Sequence, residues 1–266
     1  MSLNLTARKR KGTILTDYLL VHGAGQGAWS WGRVWGHLTA PLEHPPRLNS
    51  NPKINKVIPI DLPAHGSDAG RDTSGVLAEE CINAIVNSVE RENMANVVLV
   101  GHDFSAPLVL KASLELPHAP KRVILVSGVI PDTGKDMVSV LPFRFRVGFK
   151  LYHLITSLFG KDMYLPKELI NRYMCNDVDP KEIIQTIGFY GALPTRILKT
   201  KFDFNDSNLV CPVTYIVLNQ DKMISPTGQR KMAERIPNVD IIEIEGCHQS
   251  IIYNADSLAG ILGKYS

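Results

Sequence analysis

Three side chains in this sequence have the types and neighbours that nucleophilic catalysis needs: Asp103, Asp221 and His248. Asp103 stands at the apex of Val97-Val98-Leu99-Val100-Gly101-His102-Asp103-Phe104-Ser105-Ala106, which reads as an apolar strand breaking sharply into a helix. The small residues Gly101 and Ser105, two before and two after the apex, suit a strained strand-turn-helix in which the backbone comes close to itself. A carboxylate there is suited to saturated carbon. Its attack on an ester carbonyl would give a mixed anhydride, and its charge would repel the oxyanion that forms. Asp221 lies in the loop Asn219-Gln220-Asp221-Lys222, just past the apolar run Tyr215–Leu218. His248 ends Glu245-Gly246-Cys247-His248, just past Ile241–Ile244. Nucleophile, base and a third group that orients the base are the parts that covalent catalysis requires.

The roles follow from the chemistry. Asp103 displaces an alkoxide or halide and becomes an alkyl ester; His248, oriented by Asp221, then takes a proton from the water that cleaves that ester. The base must be neutral at that moment, whereas two carboxylates beside it favour imidazolium until alkylation neutralises Asp103. A further segment, His22-Gly23-Ala24-Gly25-Gln26-Gly27-Ala28-Trp29-Ser30-Trp31, ends a strand in a glycine-rich turn and leaves backbone N–H groups free to face the site. His22 and His102 flank turns and are expected to bond backbone, and Asp61 is expected to anchor its own loop.

These loops need strands to hold them. Tyr18–Val21, Val57–Ile60, Val97–Val100, Arg122–Val126, Val213–Leu218 and Asp240–Ile244 are short and rich in β-branched residues, as buried parallel strands are. Amphipathic stretches such as Ser74–Arg91 and Thr227–Arg235 lie between them, and this β-α alternation predicts an α/β fold with a doubly wound, mostly parallel sheet. From Thr133 to Phe204 the pattern is helical and aromatic-rich with no convincing strand, which predicts an inserted helical cap whose aromatics form its own core. The expected organisation is a flexible tail over 1–16, a core over 17–132 and 205–266, and the cap over 133–204.

With 266 residues and 44% hydrophobic content, one sizeable core is expected. A net charge of +3 is too mild for a nucleic-acid surface, and the dense run Arg8-Lys9-Arg10-Lys11 reads as a solvated tail. A nucleic-acid or membrane role would show itself as binding that collapses with added salt. Cys81, Cys175, Cys211 and Cys247 have neither metal-like nor redox-like spacing, and no apolar run reaches spanning length. A reducing cytoplasmic location, no metal, no organic cofactor, a small apolar substrate and no nucleic-acid or membrane partner are the expectations, with a homodimer left open.

The order nucleophile, acid, histidine, together with the glycine-rich turn, resembles the α/β-hydrolase superfamily from about residue 17 to the C-terminus. The resemblance implies the α/β-hydrolase fold. Within it, His22–Trp31 and Tyr215–Gln229 are similar to the plant-type esterase and hydroxynitrile lyase group, which implies an oxyanion hole formed by the N–H groups of Ala24 and Phe104. The elbow departs from that group, which has serine where this chain has Asp103. Gly101-His102-Asp103 is instead similar to the epoxide hydrolases and haloalkane dehalogenases. Dehalogenases resemble one another in a halide-binding indole after the nucleophile, but Phe104 follows Asp103, and Trp29, Trp31 and Trp35 lie in or near the first helix. Epoxide hydrolases use cap tyrosines, and Tyr152 and Tyr190 resemble that placement best. The expected function is therefore hydrolysis of an epoxide or similar small apolar substrate through an aspartyl ester. Two readings stand beside it: an esterase- or hydroxynitrile-lyase-like enzyme with an altered nucleophile, and a catalytically inactive ligand-binding protein of the same fold.

Overall fold

A computed structural model describes residues 9–10, 13–40, 53–203, 209 and 211–266. Most of the expected tail, the flanks of its basic run, and the expected cap boundary at residue 204 lie outside these residues. Within the tail, Lys9–Arg10 pairs antiparallel with Thr13–Ile14, and the first sheet strand already begins at Thr16.

One six-stranded sheet organises the molecule: β1 (Thr16–Val21), β2 (Ile54–Ile60), β3 (Val97–His102), β4 (Arg122–Val126), β5 (Val213–Leu218) and β6 (Asp240–Ile244). The spatial order is β6-β5-β4-β3-β1-β2, and every pair is parallel. The chain runs from β1 outward to β2 and returns past β1 to β3, so the strand order reverses between β1 and β3. Crevices at such switch points, outside the carboxyl ends of the strands, are where open α/β sheets bind ligands.

Side-chain alternation explains why both faces are covered. On β1, Tyr18 and Leu20 pack to one side with α1 (Gly32–Thr39), while Leu19 and Val21 pack to the other with α2 (Ala78–Arg91) and α3 (Ala106–Glu115). The amphipathic stretch expected from Ser74 is divided: Thr73–Gly75 is a separate turn capped by Asp72, which accepts the Ser74 N–H, and the helix proper starts at Ala78. The strand at Asp240–Ile244 lies at the sheet edge, with Asp240 and Ile241 exposed, because it has a neighbour on one side only.

The segment between β4 and β5 is mainly helical, with α4 (Phe143–Leu158) and α5 (Pro180–Gly188) as its longest elements. It also contains a strand pair that the sequence pattern does not reveal, Met163–Tyr164 antiparallel to Ala192–Leu193. Two residues per strand are too few for alternation to register. Its aromatics do not form a common core either: Phe143, Phe159, Tyr164 and Phe189 are exposed. Two helices complete the covering, α6 (Pro226–Ala233) on the α2–α3 face and α7 (Ala255–Leu262) on the α1 face.

Candidate active site

Asp103 is the first residue after β3, with φ at 54°, a left-handed backbone that a side chain other than glycine seldom adopts. The turn is held by its small flanks. A Cβ on Gly101 would lie 2.7 Å from Val109 Cγ2, and Ser105 Oγ donates to the carbonyls of Val21 and His102 at 3.1 and 2.8 Å. Ser105 therefore does more than stay small: it ties the end of β1 to the end of β3.

The geometry brings Asp103, Asp221 and His248 together. His248 Nδ1 donates to Asp221 Oδ2 at 2.8 Å, and its Nε2 faces Asp103 Oδ1 at 3.8 Å. That Nε2 is buried and has no hydrogen-bond partner, which leaves it free for a water or substrate atom. Asp103 Oδ2 accepts the Ala24 N–H at 3.1 Å, and the Phe104 N–H also bonds the carboxylate. The two amides expected to receive an oxyanion thus hold the carboxylate of Asp103 itself, whose Oδ1 faces the base.

Burial lifts the Asp103 carboxyl above its ordinary range, against the pull of His248 and the two amides. For His248, burial disfavours the imidazolium, but the charge and hydrogen bond of Asp221 and the charge of Asp103 outweigh it, so the pKa rises. The rise at His248 favours its imidazolium, whereas the rise at Asp103 works against its carboxylate, with His248 and the two amides as the forces that hold the charge there.

Asp221 is fixed by more partners than the sequence suggests. Its Oδ1 accepts the Met223 and Ile224 N–H groups at 2.8 and 2.9 Å, and its Oδ2 also accepts from Ser127 Oγ and Gln229 Nε2 at 2.7 and 3.0 Å. Ser127 and Gln229 escaped the sequence reading. A clue to Ser127 is its place just past β4, where the backbone turns at φ 44°.

The expected backbone roles of His22 and His102 are seen directly. His22 Nδ1 donates to Gly23 O and its Nε2 accepts the Leu62 N–H, while His102 Nε2 donates to His248 O at 3.0 Å. Asp61 accepts from Ala28 N, Ser67 N and Ser67 Oγ, anchoring its loop. Burial, then the nearby His65, hold the His22 pKa down to about 3 from an ordinary 6.5. Because the unfolded chain binds the extra proton first, this histidine favours folding fully above about pH 6.5 and progressively less as pH falls toward 3. The loss across that window is up to about 5 kcal/mol. Urea unfolding at pH 7 and pH 4 should show His22→Gln losing markedly less stability between the two than the wild type.

The pocket over Asp103 is small, about 70 Å³, and its polar side chains are Asp103 and His248. The rest of the lining is apolar, including Ala24, Phe104, Phe149, Leu193 and the adaptable Met137, Met174 and Met223. Leu141, Phe149, Leu165 and Met223 also line a second, outer chamber of about 290 Å³. Tyr152 belongs to that outer chamber. Tyr190 lines neither; its hydroxyl accepts from Gln26 Nε2 at 3.2 Å and Gln249 Nε2 at 2.7 Å. The two tyrosines expected to activate an epoxide oxygen are therefore not brought to the inner wall.

Residues 18–261 match the alpha/beta hydrolase family. Methylesterase 2 of Arabidopsis thaliana is 26% identical over 256 residues, which is 91% of this chain and 90% of that protein. Methylesterase 9 of the same plant is 25% identical, with 94% of this chain and all of that protein covered. Among solved structures, an extracellular alpha/beta-hydrolase from a Paenibacillus species superposes with a TM-score of 0.78 at 19% identity, covering 95% of this chain and 99% of that one. A methylesterase from Arabidopsis superposes with a TM-score of 0.70 at 17% identity, covering 94% and 98%.

Proposed function

The chain belongs to the alpha/beta hydrolase family, and from that premise we propose that it hydrolyses an ester of a small alcohol with an apolar acid, with Asp103 in the place of the usual serine. One observation carries this reading: among the described residues, the inner chamber offers no polar side chain besides Asp103 and His248. An epoxide opened there would leave an alkoxide with no phenol beside it, so that only the His248 imidazolium could protonate it. An ester attacked at its alkyl carbon expels a carboxylate, which needs no acid. The names of the relatives point the same way, since the methylesterases act on methyl esters, and a methyl group suits a chamber of about 70 Å³.

In this reaction Asp103 Oδ1 forms a bond to the alkyl carbon as the carbon–oxygen bond of the substrate breaks. The negative charge passes from Asp103 to the departing acid, beside the His248 imidazolium. Loss of the Asp103 charge lowers the affinity of His248 for its proton, which the departing carboxylate carries away, so the base is neutral when it is needed. It then takes a proton from water; hydroxide adds to Cγ of the aspartyl ester, the oxyanion on Oδ2 stays with the Ala24 and Phe104 amides, and His248 returns the proton to the departing alcohol.

The test combines a substrate panel of methyl esters, epoxides and haloalkanes with a single turnover in heavy-oxygen water. Ester turnover is expected, with the label in the Asp103 carboxylate and an unlabelled product acid. Label in the acid instead would mean that water attacked the acyl carbon, leaving an esterase that forms no aspartyl alkyl ester. Epoxide turnover without ester turnover would replace the ester reading with the second one, which the free Oδ1 favours because it suits any accessible saturated carbon. No turnover across the panel would overturn both.

A further inference from the structure

α4 has two apolar faces. Phe145, Gly148, Phe149 and Tyr152 turn toward the outer chamber. On the opposite face Phe143, Val147, Leu151, Leu154 and Leu158 recur at helical spacing and are all exposed, with Phe143 and Leu158 at 73% and 74%. A continuous apolar stripe in water marks an association surface.

Beside this stripe lies a surface pocket of about 400 Å³ lined by Lys135, Arg146, Lys150 and Lys201, with Asp132 and Asp136. The two carboxylates are already engaged: Asp132 with Arg235 at 2.8 Å, and Asp136 with the Ser139 N–H at 2.9 Å. None of the four cations forms an ion pair among the described residues. Arg146 Nε is buried with no hydrogen-bond partner. Over Phe143–Gly160 the sequence has no carboxylate at all.

We propose that this face docks on an anionic phospholipid surface, with the α4 stripe at the acyl boundary and phosphate headgroups between Lys135, Arg146, Lys150 and Lys201. An apolar helix face flanked by lysine and arginine is the composition that lies in a membrane interface. No helix among the described residues is long and apolar enough to cross a membrane, so the contact is peripheral. A second copy of the chain is the poorer occupant, because two facing α4 helices would oppose Arg144, Arg146 and Lys150 to their own copies with no acidic residue on the helix to answer them. The expectation of no membrane partner rested on the mild net charge, on the one dense basic run being a solvated tail and on the lack of a spanning run, none of which bears on a basic, apolar helix lying flat.

The full chain should co-sediment with vesicles of phosphatidylcholine containing phosphatidylserine, much less with phosphatidylcholine alone, and less as salt is raised. Lys150→Gln with Lys201→Gln should weaken binding roughly 30-fold, at about fivefold per cation neutralised. Leu151→Ser with Leu158→Ser should abolish it. Lys231→Gln, on α6, should bind as the wild type does. Unchanged thermal unfolding midpoints would show that the variants fold. Failure to bind either vesicle, or binding indifferent to both double variants, overturns the proposal. So does a concentration-dependent dimer that Leu151→Ser with Leu158→Ser breaks while vesicles are ignored, which would make the face an interface between copies.

Discussion

His248→Gln should lower steady-state turnover by about 10³- to 10⁴-fold while leaving a covalent ester on Asp103. The two effects belong together because the histidine acts late. Attack by Asp103 Oδ1 on an alkyl carbon needs no base, so the variant can still form the ester; hydrolysis needs the Nε2 that faces Asp103 at 3.8 Å. Intact-protein mass spectrometry after exposure to substrate should find the mass of one alkyl group, and digestion should assign it to the peptide that carries Asp103. An inactive variant with no added mass would mean that the histidine acts before or without an aspartyl ester. The wild type should show the adduct only transiently, in rapid quench.

Asp103→Ala should remove turnover by a factor on the order of 10⁴, since no other carboxylate among the described residues lines the inner chamber. Asp103→Ser is the more informative change. It empties the pair of amides that hold the Asp103 carboxylate at present and puts a hydroxyl near a base already oriented by Asp221 at 2.8 Å. The serine variant should be labelled by a fluorophosphonate probe directed at activated serine, whereas the wild type should resist it. A serine variant that resists the probe while His248 stays in place would indicate that the elbow no longer presents its side chain to Nε2.

Much of the site was legible because its parts are local. Gly101 and Ser105 announce the turn around Asp103, and the loops after Leu218 and Ile244 announce Asp221 and His248, since each follows a strand that periodicity marks. The partners that hold these groups were not legible in the same way. Gln26 and Gln249 bond each other at 2.6 Å across 223 residues of chain, and Ser127 reaches Asp221 across 94. Such contacts leave no trace in spacing, and they explain why Tyr190, well placed by its position in the cap, spends its hydroxyl on two glutamines. The fold divides along the same line. The α/β-hydrolase sheet follows from runs of apolar residues, but whether an aromatic such as Phe143 turns inward or outward depends on what lies over it, which a helical period does not encode. Likewise β6 has the composition of a buried strand and the exposure of an edge.

The carboxylate oxygen resting against the Ala24 and Phe104 amides has a consequence for inhibition. The resting enzyme already carries, as part of its own chain, an anion of the kind that boronates and phosphonates present to serine enzymes. Such compounds would have to evict a tethered competitor whose effective concentration no dilution can reduce. Selective ligands for this protein should therefore be neutral and apolar, filling the two chambers without reaching for the amides.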